Sequence, residues 1–327
     1  MEWNGNGSVR VAVPVDTARL ERRLARLEAD CIEPLAGLFG PDSLSWRINR
    51  ESFLFLGAAR AALMQTAHPW IAAAIERHST TLLDPVGRFH NTFTMVFSMV
   101  FGRRDQALAM ARRLHRRHGR IEGRLEETLG PFAAGTPYFA NEVGALTWVY
   151  ATLIDTARLV YELLGPPLSA EQREVFYRES WLFAGLFGLE SSDLPPDWRS
   201  FEAYLGNMGD RLEVGSAARR IGHFLLTGSG PAGRRLPPPP GWYRSVTSRL
   251  LPERFRAGYD LRFGPREEAA AAGALARLGR VARLLPATLR YVPPYHEAVA
   301  RLAGRPGPGL AVRGLSRLWV GRPTLVP

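Results

Sequence analysis

Lysine is absent from this sequence: every one of the 42 basic residues among its 327 is arginine. Abundant alanine, glycine and proline accompany that absence, which reads as the codon bias of a GC-rich genome. The net charge of +11 and pI near 10.6 are therefore discounted as signs of nucleic-acid binding. No RNA- or DNA-binding signature sharpens them. A single cysteine, Cys31, excludes an internal disulfide framework and a thiolate metal cluster. No apolar run approaches the roughly 20 residues that span a bilayer. The opening MEWNGNGSVRVAVPVD lacks the charged and apolar regions of a secretory signal. These absences predict a soluble, cytoplasmic protein. Period-two alternation is nearly missing too, and no β-branched runs stand between turn signals. Nucleophile elbows, phosphate-cradling glycine loops, dinucleotide fingerprints and internal repeats are likewise not found.

What remains is helical patterning, with 46% hydrophobic residues to build a core. The expected fold is all-α, a single multi-helix bundle. Residues 1–14 read as a disordered terminus, 15–227 as the core, 228–241 as a Pro/Gly-rich loop and 242–327 as a helical extension of the same domain. Asp16 is a plausible N-cap for a helix carrying Leu20, Leu24, Leu27 and Ile32. Residues 46–49 read as a connector, and 50–67 as one helix whose Gly57, Ala58 and Ala61 let a helix or a flat ligand approach closely. His68-Pro69 breaks it, with Pro69 suited to a new first turn. A long helix is expected over 142–164, with Leu146, Val149, Leu153, Ala157, Val160 and Leu164 inward. Ser169 and Gln172 form a capping box for the next. The tail after Gly304 reads as irregular.

The segment DPVGRFHNTFTMVFSMVFGRRDQALAMARRLHRRHGRIEG (84–123) organises the functional reading. Its first helix is apolar on nearly every side, as a buried helix is. Arg88 and Thr92, four apart, share a face before the apolar run. The next helix is basic and carries His115 and His118 three residues apart. A helical zinc protease needs glutamate directly after its first histidine, and arginines stand there instead. A di-iron bundle needs Glu-x-x-His on two helices, and the sequence has none. Haem needs only one axial histidine, an apolar slot and cations for its propionates. Against this, both histidines read equally well as surface residues of an arginine-rich helix, Arg88 as a helix-start residue and Thr92 as a packing hydroxyl. His68 and His78 flank one short helix, and Tyr138 in GTPYFAN is a candidate pocket residue, or else an aromatic covering the core. His90, His223 and His296 lack a supporting constellation.

The ordered segments WRINRESFLFLGAARAALMQTAHPWIAAAIERHS, DPVGRFHNTF, VFG, HGRIEG, TPYFANEVGALTWVYATLIDTARLVYE, PLSAEQREVFYRES and LPPDWRSFEAYL resemble a known family. It is the mycophenolate-pathway oxygenase and rubber oxygenase (latex clearing protein) family. The resemblance runs from about Trp46 to Leu205. It implies a helical core with a haem slot between central helices, a b-type haem and its iron as cofactor, and dioxygen with a hydrophobic, including unsaturated, small molecule as substrates. It implies that the axial ligand is His118 of HGRIEG, with His115 as the fallback, and that Arg88 and Thr92 approach the haem as catalytic and cofactor-binding residues. Rubber oxygenases carry lysine just before that threonine. Asn91 stands here, which weighs against polyisoprene as substrate. Two other readings stay open: a haem-binding or sensing protein without turnover, and a cofactor-free helical protein whose basic helix binds an acidic partner.

Overall fold

The Asp16 carboxylate accepts the Arg19 amide at 2.6 Å and starts α1 (Thr17–Asp30), as its position before the leucine stripe predicts. Leu20, Leu24 and Leu27 turn inward, whereas Ile32 lies past the helix end and is 98% exposed. This computed structural model describes residues 13–79, 84–230 and 237–325. Val13 and Pro14, grouped by the sequence with a disordered terminus, are held in place. The Val13 carbonyl accepts the Val143 amide, and Pro14 bridges to Glu142. Residues 1–12 of that terminus lie outside the described residues, as do 80–83 and 231–236, which fall in loops the sequence predicted.

The stretch 44–67 corrects two expectations. The connector is a helix, α2 (Leu44–Asn49), and the single helix after it divides into a 3-10 turn (Ser52–Gly57) and α3 (Ala58–Thr66). Glu51 explains the break. Its backbone is extended and bridges to Tyr291, and its buried carboxylate accepts two N–H bonds from Arg290, at 2.9 and 3.0 Å. Sequence periodicity cannot register a tie to a residue some 240 positions away. Gly57 does what its smallness suggests, since a Cβ there would collide with the Thr156 side chain.

Pro69 opens α4 (Pro69–His78), and Pro85, after the capping Asp84, opens α5 (Pro85–Phe101). Gly102 ends α5, yet its φ of −69° is ordinary. Glycine is needed there because a Cβ would strike the Ser98 carbonyl. α6 (Arg104–His118) follows and packs on α5. A three-residue hairpin unseen in the sequence comes next, β1 (Glu122–Arg124) against β2 (Pro137–Phe139) in antiparallel register. Strands this short carry no readable alternation.

α7 (Val143–Leu164) is the central helix. It contacts α2, α3, the 3-10 turn, α8 (Ala170–Gly185) and α9 (Trp198–Arg211). Burial surrounds it, so the predicted inner stripe is incomplete: Trp148, Tyr150, Thr152 and Asp155 are buried beside Leu146, Val160 and Leu164. The capping box at Ser169 and Gln172 is present. α10 (Ser216–Thr227) lies against α3 and α4.

After the proline-rich loop come α11 (Gly241–Leu250), α12 (Glu253–Gly258), α13 (Pro265–Leu284), α14 (Ala287–Arg290), α15 (Pro293–Leu302) and α16 (Leu310–Val320). Val246, Leu250, Ala271, Ala274 and Leu275 share a core with Leu56, Val160 and Leu164. The tail read as irregular thus supplies α16, which packs on α5 and α15. The fold is all-α apart from the hairpin. No helix among the described residues is long and apolar enough to cross a membrane.

Candidate functional site

α5 and α6 bring the three main candidates together. Arg88 is close enough to His118 for its positive charge to act on the imidazole. Crowding by protein is the larger cause, followed by Arg88, Arg117 and His115, and together they push the His118 pKa down to about 4. The residue nevertheless keeps part of its surface accessible, in a half-covered recess at the end of α6. Neutral imidazole at ordinary pH is the form that ligates a metal.

Asn141, which sequence reasoning passed over, lies close enough to that ring to favour its protonated form. The amide nitrogen is already committed, donating to the His115 carbonyl at 3.1 Å. The backbone carbonyl of Asn141 accepts the Val15 amide at 2.7 Å, and His115 Nε2 meets the Val15 carbonyl at 2.9 Å. A carbonyl can only accept, so His115 donates there. These bonds stitch the end of α6 to the chain entering α7. They make His115 a tie, whereas no such backbone bond engages the His118 ring among the described residues.

Arg88 is half-buried and has no carboxylate partner among the described residues. Burial and neighbouring Arg117 lower its pKa, but guanidinium stays charged at any ordinary pH. An unpaired cation held in a partly desolvated place is poised for an anion. The Thr92 hydroxyl donates to the Arg88 carbonyl one turn back at 2.9 Å, so its lone pairs are what it offers a ligand. The charges that shift His118 are all positive. The site offers a ring beside a cation, and no carboxylate among the described residues acts on that ring.

Residues 46–284 match the model of a family described as the ER-bound oxygenase mpaB/B'/rubber oxygenase catalytic domain. The chain belongs to that family. It carries an oxygenase catalytic domain, an oxidoreductase fold whose match spans most of its length. No curated protein and no solved structure gave a match.

In this oxygenase-family domain the remaining candidates separate from the recess. His78 Nε2 lies 3.0 Å from the Glu122 carbonyl and 3.4 Å from the Tyr138 hydroxyl, so His78 at the end of α4 pairs with Tyr138 of β2. His90 and His296 also spend a ring nitrogen on backbone, at the Leu318 and Ala287 carbonyls. Among the described residues no cluster of three metal-ligating side chains occurs.

His68 is a different case. It is fully buried, edge-on to Phe132 at 5.0 Å and beside Trp70 at 5.7 Å, with no hydrogen-bond partner for either ring nitrogen. Burial drives its pKa down to about 3. An unfolded histidine titrates near 6.5, so the unfolded chain takes up a proton that the folded one refuses. Stability from this group is complete above about pH 6.5 and is lost as pH falls towards 3. Urea midpoints of the cofactor-free protein are expected to fall over that window. A His68→Phe variant should flatten the decline; an identical decline would assign it to other groups.

Proposed function

We propose that this chain is a haem-b-dependent oxygenase that uses dioxygen on a hydrophobic small molecule, unsaturated ones included. The observation that supports it best is the His118 recess, where a ring kept neutral by burial lies close to Arg88, a cation with no carboxylate partner among the described residues. Those residues suit the group. His118 would hold the iron through a ring nitrogen, with Asn141 close by to orient the ring. Arg88 would pair with a propionate, and Phe93 and Met95 of α5 supply apolar surface. A bound haem would supply an iron centre able to bind and activate dioxygen. The chain's own residues would hold it, exclude water and place an apolar substrate, with the Thr92 oxygen able to accept a hydrogen bond. We also read the helices after the proline loop as an extension of the same domain, because they share the α7 core.

Purified protein titrated with hemin is expected to take up one equivalent by pyridine haemochromogen assay, and then to consume oxygen with an apolar alkene but not with a polar analogue. Binding without oxygen uptake across apolar substrates would leave a haem carrier. An Asn141→Ala variant is expected to bind haem about tenfold more weakly, the lower end for loss of an orienting group. Unchanged affinity would remove Asn141 from the site.

A further inference from the structure

α16 turns Val312, Ser316 and Val320 into the protein and presents Leu310 and Leu318 to solvent, 85% and 71% exposed. Gly314, Arg317 and Gly321 share that outward side, four, seven and eleven residues after Leu310. The first turn of α5 lies alongside, with Val86 and Phe89 also exposed. A shallow, open groove lined by Val86, Phe89, His90, Arg317 and Leu318 joins the two helices. His90 fixes the junction through the Leu318 carbonyl at 3.0 Å.

Charge distribution, rather than total charge, distinguishes this face. The last 30 residues, 298–327, contain five arginines and no Asp or Glu; Arg317 lines the groove, whereas Arg301 turns away to the Leu35 and Phe101 carbonyls. α5 carries no acid along its whole length. Asp84, just before α5, is occupied in capping it through the Gly87 amide at 2.9 Å. Isolated leucines projecting from a convex helix, flanked by arginine, form an interfacial surface: the apolar side chains enter the acyl boundary while the cations meet headgroups.

We propose that the face formed by α16 and the first turn of α5 docks peripherally on an anionic lipid surface. A second copy of the chain fits less well, because a symmetric contact would set Arg317 against arginine with no carboxylate to pair it. An acidic protein would satisfy the arginines, yet the groove is too shallow to give it a socket. Contact with the bilayer is peripheral, since no described helix can span one. On the function proposed above, docking would also set the recess at the interface where apolar substrates concentrate, because Phe89 neighbours Arg88. The lipid contact itself does not depend on haem.

Flotation of the full chain with vesicles tests this. Vesicles of mixed phosphatidylglycerol and phosphatidylcholine are expected to carry the protein up the gradient, and pure phosphatidylcholine vesicles to carry about tenfold less. A Leu310→Asp/Leu318→Asp variant, with circular dichroism and melting like the wild type, should lose about tenfold in binding to the mixed vesicles. The milder Leu318→Ala should show a graded loss if the double variant fails to fold. Wild type left at the bottom with mixed vesicles overturns the proposal. So does full binding by the folded leucine variants, which would mean general arginine adsorption. A concentration-dependent dimer in gel filtration that these variants abolish would also overturn it, by assigning the face to a second copy. Haem content of each sample keeps this result separable from the oxygenase reading.

Discussion

An Arg88→Leu variant is expected to weaken haem binding about ten- to a hundredfold, the range for losing a charge-assisted hydrogen bond in a partly buried place. The same substitution should raise the His118 pKa in the cofactor-free protein, because crowding is the first cause holding it near 4 and Arg88 the second. The sign follows from charge: a cation beside the ring opposes its protonation, and leucine of similar bulk leaves the crowding in place. Histidine resonances followed by NMR against pH report this second effect without any cofactor. A raised His118 pKa with unchanged haem affinity would keep Arg88 at the recess and remove it from the cofactor. An unchanged pKa would contradict the geometry itself.

Loss of Asp155 is expected to have the largest effect on stability. Its carboxylate is buried on α7 between two guanidiniums, Arg60 Nη2 at 2.6 Å and Arg158 Nη2 at 2.7 Å. Arg60 also donates to the Thr156 hydroxyl and, through Nε, to the Leu250 carbonyl at 2.8 Å, joining α3, α7 and α11. Burial pushes the Asp155 pKa up, but Arg60 and Arg158 together pull it below the usual carboxylate value. An Asp155→Ala variant strands buried Arg60, and breaking such a pair costs about 3–5 kcal/mol. That is a large share of the roughly 5–15 kcal/mol holding a typical protein folded. Its urea midpoint should fall accordingly. The double variant Arg60→Met/Asp155→Leu, which strands no buried Arg60, should recover most of the loss. Equal loss in single and double variants would place the effect in packing instead.

Local signals were legible and tertiary ones were not. Asp16, Pro69, Pro85 and the Ser169–Gln172 box start helices where sequence chemistry says they should, because caps act within one turn. Ile32 shows the limit: it continues a leucine stripe past the point where the helix ends. Glu51 breaks a helical stretch through a partner in the last quarter of the chain. α16 was hidden behind the glycines and prolines that precede it, although Val312, Ser316 and Val320 keep helical spacing.

The candidates Arg88, Thr92 and His118 come from spacing together with family resemblance, while spacing alone does not separate His118 from His115. In the structure the His115 ring is spent on the Val15 carbonyl, and His118 is crowded close to Arg88 and Asn141. Asn141 itself gave no signal beyond its place in the PYFAN string. The candidate pocket residues His68, His78 and Tyr138 sit in two surroundings: a buried ring beside Trp70 and Phe132, and His78 at the end of α4 paired with Tyr138 of β2.

The central claim is that His118 holds a haem, and an absorption spectrum tests it most directly. Wild type, His118→Ala and His115→Ala would be purified side by side from haem-supplemented cells. The account predicts a strong Soret band in the wild type, its retention in His115→Ala, and its loss or clear displacement in His118→Ala. An unchanged band in His118→Ala would move the ligand elsewhere, and no band in fully reconstituted wild type would contradict the haem reading outright.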